Sequence, residues 1–517
     1  MAAKKTTKKA AKKTTGAKGT KKAAKKSARK RATGAVFEEP FAFLLVNMIP
    51  KSLSGETNQD SEPHLTVSPV NPKQIIGTAF SPNPGGGAFA PIYMSLDGGN
   101  TWSLNPIVPS TLGSGLGTGD ITTSFNRKAT VLYGAILRAG TGNLEFLRTT
   151  TPFGPAPMTV LRSRPSADQP YTHATTIPSG VGAGRDVVFI GDNDFAAAGG
   201  KTQTIDQSLN AAVAAPVFSS VRVEKRPTLG QDGPQCRPVA HADGTSYAAF
   251  YRWRSSTGSF PANTLVITSA DVVVVRDDRF GSHNFNDLVE PPAPVGDGLV
   301  GKRVVQGVSF PFMRNGAAAT GQQRIGGSIS IAVDPNNSKV VYLVWGDRRP
   351  GSFLTLHVRR SVDRGVTWSG PGDLLSVPNA TNAALAINSI GKIGLLYQQV
   401  VGTGAAQRWV SHLRRSPNGV NWDDLILANV PATTPAKTFD PYIGDYDHMV
   451  AVGQSFFGIF SANNTPDKAN FPNGVKYLRN ANFTTRRLLN VNGTSQVAPS
   501  IDPFFFMVRG VTPVVSP

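Results

Sequence analysis

The chain has little cysteine and no long apolar run, and both shortages exclude whole classes of protein. Its 517 residues include one cysteine, Cys236, which rules out an intrachain disulfide framework. We interpret Cys236 as a small buried side chain. Apolar stretches such as 41–46 and 504–508 are far shorter than the ~20 residues that a membrane-spanning helix needs. The sequence therefore predicts no transmembrane segment.

Motifs that would mark a metal site or a nucleotide site are also missing. The seven histidines are scattered without the spacing of a zinc site. We find no phosphate-binding P-loop and no Gly-x-Ser-x-Gly elbow. The sequence therefore predicts no metal and no cofactor.

Acidic residues are absent from the first 34 positions, which hold 14 of the 53 basic residues. The remainder carries 39 basic and 33 acidic residues, so most of the net charge of +20 belongs to this segment. Like charges at this density repel, so we expect residues 1–34 to be disordered. The segment resembles the Lys/Ala-rich tails of linker histones. It predicts binding to nucleic acid or another polyanion through Lys4, Lys5, Lys8, Lys9, Lys12, Lys13, Lys21, Lys22, Lys25, Lys26, Arg29, Lys30 and Arg31.

A solubilising or surface-adhering tail is the alternative interpretation of this segment. No apolar signal-peptide core follows the basic residues directly, so we expect a cytoplasmic protein or export by a non-standard route. Residues 35–60 read as a linker that packs on the body, and residues 61–517 form that body.

The composition of the body indicates an all-β protein. The chain is rich in Gly (53) and Pro (39), and only 17% of its residues are charged. One eight-residue phrase, Ser-x-Asp-x-Gly-x-Thr-Trp, occurs twice, and a worn third copy spans 416–422. An Asp side chain and a Gly with positive φ close a tight turn, after which the Thr and Trp return to a strand. The two copies are Ser95, Asp97, Gly99, Thr101, Trp102 and Ser361, Asp363, Gly365, Thr367, Trp368.

This phrase resembles the Asp-box (BNR repeat) of sialidase-like β-propellers. The resemblance implies a propeller whose boxes are structural turns away from the catalytic face. Seven polar opening phrases, each followed by an apolar second strand, favour seven blades. Six blades, the number in sialidases, is the alternative. Segment 285–325 reads as the largest insertion between units, and 488–517 as a stretch that closes the ring or lies against it.

The opening phrases are expected to meet at one end of the central channel, where a glycan or protein ligand would bind. Tyrosines and carboxylates there can supply the nucleophile and the acid/base of glycoside hydrolysis. The candidate catalytic residues are Tyr442, Tyr446, Asp445, Asp60 and Glu62. The candidate substrate-binding residues are Arg237, Arg348, Asp168, Tyr171 and Asp120.

The sialidase family implies three arginines that grip a carboxylate, a Tyr–Glu pair that attacks the sugar, and an acid/base Asp. The first of those arginines lies in an Arg-Ile-Pro phrase, whereas this chain has Asp60-Ser61-Glu62-Pro63 at the comparable place. Arg237 and Arg348 supply two of the three. The leading hypothesis is a glycan-directed propeller, either an exo-α-sialidase type of hydrolase or a binder. The alternative is a non-enzymatic interaction scaffold tethered to a polyanion by its tail.

Overall fold

The computed structural model describes residues 42–109, 117–138, 142–197, 202–230, 233–262, 264–312, 327–370, 372–436 and 443–510. These residues form strands joined by turns, with short 3-10 turns at Lys51–Leu53, Gly404–Ala406 and Lys468–Asn470. The all-β class predicted from the sequence is confirmed. In this part of the chain, no helix is both long enough and apolar enough to cross a membrane.

Six sheets each consist of four strands that follow one another along the chain and pair antiparallel. A strand from the start of the described chain, β1 (Phe43–Asn47), precedes them. Sheets 1 to 3 comprise β2 His64–Val67, β3 Ile75–Thr78, β4 Phe89–Ser95, β5 Ser103–Pro109; β6 Ile121–Phe125, β7 Leu132–Arg138, β8 Asn143–Thr149, β9 Thr159–Arg164; and β10 Ala167–Thr176, β11 Asp186–Asp194, β12 Thr202–Ser208, β13 Ser219–Arg222. Sheets 4 to 6 comprise β14 Arg237–Ala240, β15 Ser246–Thr257, β16 Val266–Asp277, β17 Lys302–Pro311; β18 Ile329–Asp334, β19 Asn337–Arg349, β20 Ser352–Ser361, β21 Leu375–Pro378; and β22 Ala380–Ile387, β23 Ile393–Val401, β24 Arg408–Ser416, β25 Asp423–Pro431.

Sheet 7 contains both ends of the described chain. Its strand order is β26-β27-β32-β1-β28, with β1 antiparallel to β32 and parallel to β28. A small separate sheet is formed by β29, β30 and β31. The bounds are β26 His448–Val452, β27 Ser455–Asn463, β28 Lys476–Tyr477, β29 Ala481–Asn482, β30 Arg487–Leu489, β31 Gln496–Val497 and β32 Ile501–Val508.

The first strands of the seven sheets contact one another in a closed cycle. Each of β2, β6, β10, β14, β18 and β22 touches the next in that order, and β26 touches both β22 and β2. A ring of antiparallel sheets around a central channel is the arrangement of a β-propeller. The apolar second strands are buried between neighbouring sheets. The clearest example is β11, in which every residue is buried.

Each of these first strands pairs with only one strand of its own sheet. Polar side chains of the neighbouring sheet accept hydrogen bonds from the backbone N–H groups along its inner edge. Thr122 Oγ1 accepts the backbone N–H of Thr172 at 2.9 Å, and Ser328 Oγ accepts that of Ala383 at 2.8 Å. Because an unpaired buried N–H costs free energy, each such contact stabilises the junction between two sheets. Ser124 and Ser330 repeat this role at the same two junctions. At other junctions it falls to Thr66, His64, His173 and His448.

The strand β1 closes the ring. It was assigned from the sequence to a linker over residues 35–60, but it lies inside sheet 7, where Val46 is fully buried and pairs with Phe505 of β32. Its five residues are Phe-Leu-Leu-Val-Asn, a composition that suits a strand buried on both faces. The start and the end of the body are therefore hydrogen-bonded to each other.

Both copies of the eight-residue phrase fold into the same turn between the third and fourth strands of their sheets. In the first copy, Asp97 accepts the backbone N–H and the hydroxyl of Thr101 at 2.9 and 2.6 Å, and Ser95 Oγ accepts the N–H of Gly99. Trp102 Nε1 donates to the carbonyl of Gly99 at 3.0 Å. The residues Ser361, Asp363, Gly365, Thr367 and Trp368 repeat these bonds.

The boxes lie at the end of the ring opposite to the opening phrases. In an antiparallel four-stranded sheet, the turn between strands 3 and 4 lies at the same end as the turn between strands 1 and 2. The bond from Gly98 N–H to the carbonyl of Lys73, in the β2–β3 turn, shows this proximity directly. We call the end where the first strands begin the mouth, and the end where they finish the box face.

Candidate functional site at the mouth of the ring

Tyr446 is the centre of a polar cluster at the mouth. Its side chain is only 2% exposed, and its hydroxyl has no hydrogen-bond partner among the described residues. Burial, together with the charges of Asp120 and Glu62, raises the pKa of Tyr446 well above its usual value; the nearby Arg237 opposes this rise and Asp445 adds to it. The charges of four of the predicted site residues therefore act on one buried phenol.

Close packing between two opening segments brings this cluster together. Gly444 has φ +102°, and a Cβ added there would lie 2.5 Å from the backbone nitrogen of Glu62. Glu62 itself holds a left-handed backbone with φ +54°. Such a conformation costs free energy in a residue with a side chain, and strain of this kind is found most often at functional sites.

Two amide side chains that the sequence analysis did not single out support the cluster. Gln169 donates from Nε2 to Asp445 Oδ2 at 3.2 Å, and Asn382 donates from Nδ2 to the carbonyl of Gly444 at 3.1 Å. Both residues have positive φ, at 51° and 54°. Asparagine tolerates this conformation, whereas nothing in the sequence predicts it for a glutamine.

The remaining predicted residues lie elsewhere. Asp60 is fully buried and accepts a hydrogen bond from the Tyr93 hydroxyl at 3.2 Å, on the side of Glu56 and Asp502 rather than in the Tyr446 cluster. Asp168 accepts the backbone N–H of Gln169, so it contacts one of the two supporting amide residues. Arg348 is exposed at the end of β19, and Tyr442 and the predicted polyanion-binding residues of the tail fall outside the described residues.

An aromatic and basic layer lies beneath the cluster. The Arg237 guanidinium carbon is 4.4 Å from the centre of the Tyr171 ring and 5.4 Å from that of Tyr446. Tyr171 Oη is 2.9 Å from His448 Nε2, and the His448 ring stacks on His64 with a centroid distance of 3.8 Å.

Both histidines of this layer are neutral, because burial disfavours the charged form of an imidazole. The N–H of Leu65 donates to His448 Nδ1 at 3.3 Å, and that of Thr123 donates to His64 Nδ1 at 3.4 Å. Burial and the positive charge of Arg237 lower the pKa of His448 to about 3. Burial, His448 and Arg237 lower the pKa of His64 well below its usual value. These rings are accordingly structural acceptors at neutral pH, with their remaining hydrogen on Nε2.

A cavity of about 370 Å³ runs from this layer toward the box face. All seven first strands line it, mainly through their second halves. The residues at its mouth-side end, His64, Arg237 and His448, are buried, whereas Pro69 and Arg127 at its other end are exposed. The cavity is therefore closed beneath the mouth cluster and open on the box face.

The donor sets do not point to a bound metal. In the part of the chain that the structure describes, no group of three or more His, Cys, Asp or Glu side chains is arranged to hold a metal ion. Cys236 is a free, fully buried thiol, and burial raises its pKa well above the usual value.

Comparison with known proteins gives distant structural similarity only. No protein-family model and no curated protein matches the chain. Among solved structures, an α-L-arabinanase of Penicillium chrysogenum is 12% identical, with 90% of this chain and 98% of that chain covered and a TM-score of 0.40. An α-L-arabinofuranosidase of Fusarium graminearum is 10% identical, with 89% and 97% covered and a TM-score of 0.39. Hydrazine synthase of Kuenenia stuttgartiensis is 10% identical, with 78% and 93% covered and a TM-score of 0.40. Similarity this distant says nothing about the activity of the chain.

Proposed function

We propose that the protein is a seven-bladed propeller directed at glycans, with its ligand at the mouth cluster. The observation that carries this proposal is that the charges of Glu62, Asp120, Asp445 and Arg237 all act on the buried hydroxyl of Tyr446. Carboxylates that accept from sugar hydroxyls, beside an aromatic ring, are suited to binding a carbohydrate. Asp120 is half-buried and is the point at which a sugar would first meet the cluster.

The same groups can perform glycoside hydrolysis. Tyr446 is a neutral phenol at pH 7, so it needs a base to become a nucleophile, and Glu62 is a carboxylate whose charge acts on Tyr446. Asp445 or Asp120 would then protonate the leaving oxygen. Sialidase specificity is the finer form of this proposal, and it requires more arginines than Arg237.

A panel of fluorogenic glycosides that includes α-sialosides and α-L-arabinofuranosides, together with a glycan array, tests the proposal on the full chain. For a glycosidase, Tyr446→Phe should reduce turnover at least a hundredfold while glycan binding survives. Tyr397→Phe is the matched control, because Tyr397 is equally buried but belongs to β23 and stacks on His412. Binding without turnover would identify a carbohydrate-binding propeller. An absence of both would overturn the glycan proposal.

The alternative is an interaction scaffold tethered by its basic tail. It is favoured by one observation: of the two arginines predicted to bind substrate, Arg237 acts on Tyr446, whereas Arg348 is exposed at the end of β19. Under this proposal, residues 1–34 hold a polyanion and the propeller binds a protein.

Retention on immobilised DNA at increasing salt tests the role of the tail. We expect the full chain to be retained in a strongly salt-dependent way, because each neutralised phosphate releases counterions. Deleting residues 1–34, or changing their Lys and Arg residues to Gln at constant length, should abolish retention. Equal retention of the shortened protein would show that the body binds DNA and that the tail assignment is wrong.

A further inference from the structure

The central cavity is a second candidate site, because it differs from the mouth cluster in both position and chemistry. It opens on the box face, and apolar side chains such as Phe125, Ile331 and Leu385 form part of its lining. None of its lining residues is acidic, whereas three carboxylates surround Tyr446. A volume of about 370 Å³ is within the range of small-molecule sites.

Arg237 supplies an uncompensated positive charge at the closed end of this cavity. Its side chain is 5% exposed, yet no carboxylate of the described residues lies within ion-pair distance, and Nε has no hydrogen-bond partner there. The neighbours that stabilise it are the rings of Tyr171 and Tyr446, together with a hydrogen bond to the Tyr171 side chain. A buried charge of this kind is costly unless an anion pairs with it.

The other polar groups at the closed end are donors as well. His64 is 1% exposed, and because Nδ1 accepts the N–H of Thr123, its Nε2 carries a hydrogen that has no acceptor among the described residues. The Thr123 hydroxyl is likewise buried without a partner. The end of the cavity thus offers hydrogen-bond donors and a positive charge but no negative charge.

We propose that this cavity binds a small monocarboxylate with an apolar body, which enters from the box face and places its carboxylate against Arg237 and His64. The apolar body lies between the first strands, where it removes apolar surface from water. Arg127 at the open rim, held by bonds to Thr175 Oγ1 and the carbonyl of Thr176, adds positive charge along the path of approach. The proposal does not rest on glycan binding at the mouth.

Calorimetric titration of the full chain with octanoate and with octanol tests this assignment, since the two probes share an apolar body and differ in their head group. We expect saturable octanoate binding at least ten times tighter than octanol binding. Arg237→Met should weaken octanoate about ten- to a hundredfold and leave octanol nearly unchanged, because it removes the charge and keeps the apolar stem.

Ala240→Phe tests the location, because half-buried Ala240 lines the cavity and a phenyl ring there would fill it. We expect this variant to lose octanoate binding. Val362→Phe is the matched control, since Val362 is exposed in a turn on the same face and does not line the cavity. Thermal melts of each variant establish that it is folded. Equal binding of octanoate and octanol, no octanoate binding, or octanoate binding that survives both Arg237→Met and Ala240→Phe would overturn the proposal.

Discussion

Hydroxyl groups on the first strands differ in their hydrogen bonding, as the neighbouring residues Thr122 and Thr123 show. Thr122 Oγ1 accepts the N–H of Thr172 and also pairs with the Thr172 hydroxyl at 3.0 Å. Thr123 is equally buried, and its hydroxyl has no partner among the described residues. The two side chains have the same size, so a pair of isosteric substitutions separates the hydrogen bond from the packing.

We expect Thr122→Val to destabilise the protein by about 1–3 kcal/mol, because it leaves the N–H of Thr172 buried without an acceptor. Thr123→Val should be neutral or slightly stabilising, because it replaces an unpaired hydroxyl with a methyl group. Denaturant unfolding of both variants measures the difference. Similar losses for the two variants would show that side-chain acceptors do not stabilise the junctions between sheets.

Glu224 makes stability depend on pH. It is fully buried, and burial raises the pKa of its carboxyl from 4.5 to about 7, against the hydrogen bond that it accepts from the N–H of Arg226. The folded protein therefore takes up a proton that the unfolded chain does not hold between these two values. Its contribution to stability is complete below about pH 4.5 and is lost as the pH rises through 7.

The variant Glu224→Gln should remove this contribution to the pH dependence. We expect its free energy of unfolding, relative to the natural chain, to rise with pH by about 1 kcal/mol per pH unit between pH 5 and 7. Unfolding measured at several pH values checks this. Glu290→Gln is the control of opposite sign, since hydrogen bonds from Arg303 lower the pKa of Glu290 despite its burial. A difference between Glu224→Gln and the natural chain that stays constant with pH would contradict the assignment.

At the scale of strands, β1 is the feature whose role is least evident from sequence. A run of apolar residues near the start predicts burial, but only the fold shows that it pairs with β32 and so joins the two ends of the body. The segment 285–325 was similarly interpreted as an insertion between units, whereas it contains β17, the fourth strand of sheet 4. Both misassignments arise because long-range pairing is not encoded in local periodicity.

Val46→Pro tests the closure. Proline at position 46 of β1 removes a backbone N–H between two paired strands and leaves its acceptor buried, which alone costs about 1–3 kcal/mol. We expect a clearly lower melting temperature. Lys51→Pro is the control, because Lys51 begins a 3-10 turn and Pro50 before it already has the extended ψ of 157° that a following proline requires. Equal effects of the two prolines would argue against a stabilising role for β1.

The apolar second strands, in contrast, were predicted at every one of the seven sheets, because continuous apolar runs between turns are a strong local signal. The two boxes were predictable for the same reason, since all their hydrogen bonds lie within eight residues. The mouth cluster was predictable only in part. Glu62, Asp120, Asp445 and Arg237 were identified by type and position, whereas the supporting roles of Gln169 and Asn382 depend on backbone conformations that their sequence does not announce.

At the scale of the whole molecule, the two ends of one channel differ in their chemistry. The mouth holds a buried phenol on which the charges of three carboxylates and an arginine act, and the box face opens into a cavity without an acid in its lining. A buried layer of Arg237, Tyr171, His448 and His64 separates them. The two proposals therefore place their ligands on opposite sides of this layer, and both depend on the charge of Arg237.

A structure of the full chain with the tightest-binding glycan of the array is the most direct test of the central claim. We predict sugar density at the mouth, with a ring hydroxyl within hydrogen-bond distance of Asp120 or Asp445 and the ring against Tyr446. A glycan bound only at the outer surface, with Tyr446 and its carboxylates untouched, would contradict the claim that the mouth cluster is the glycan site.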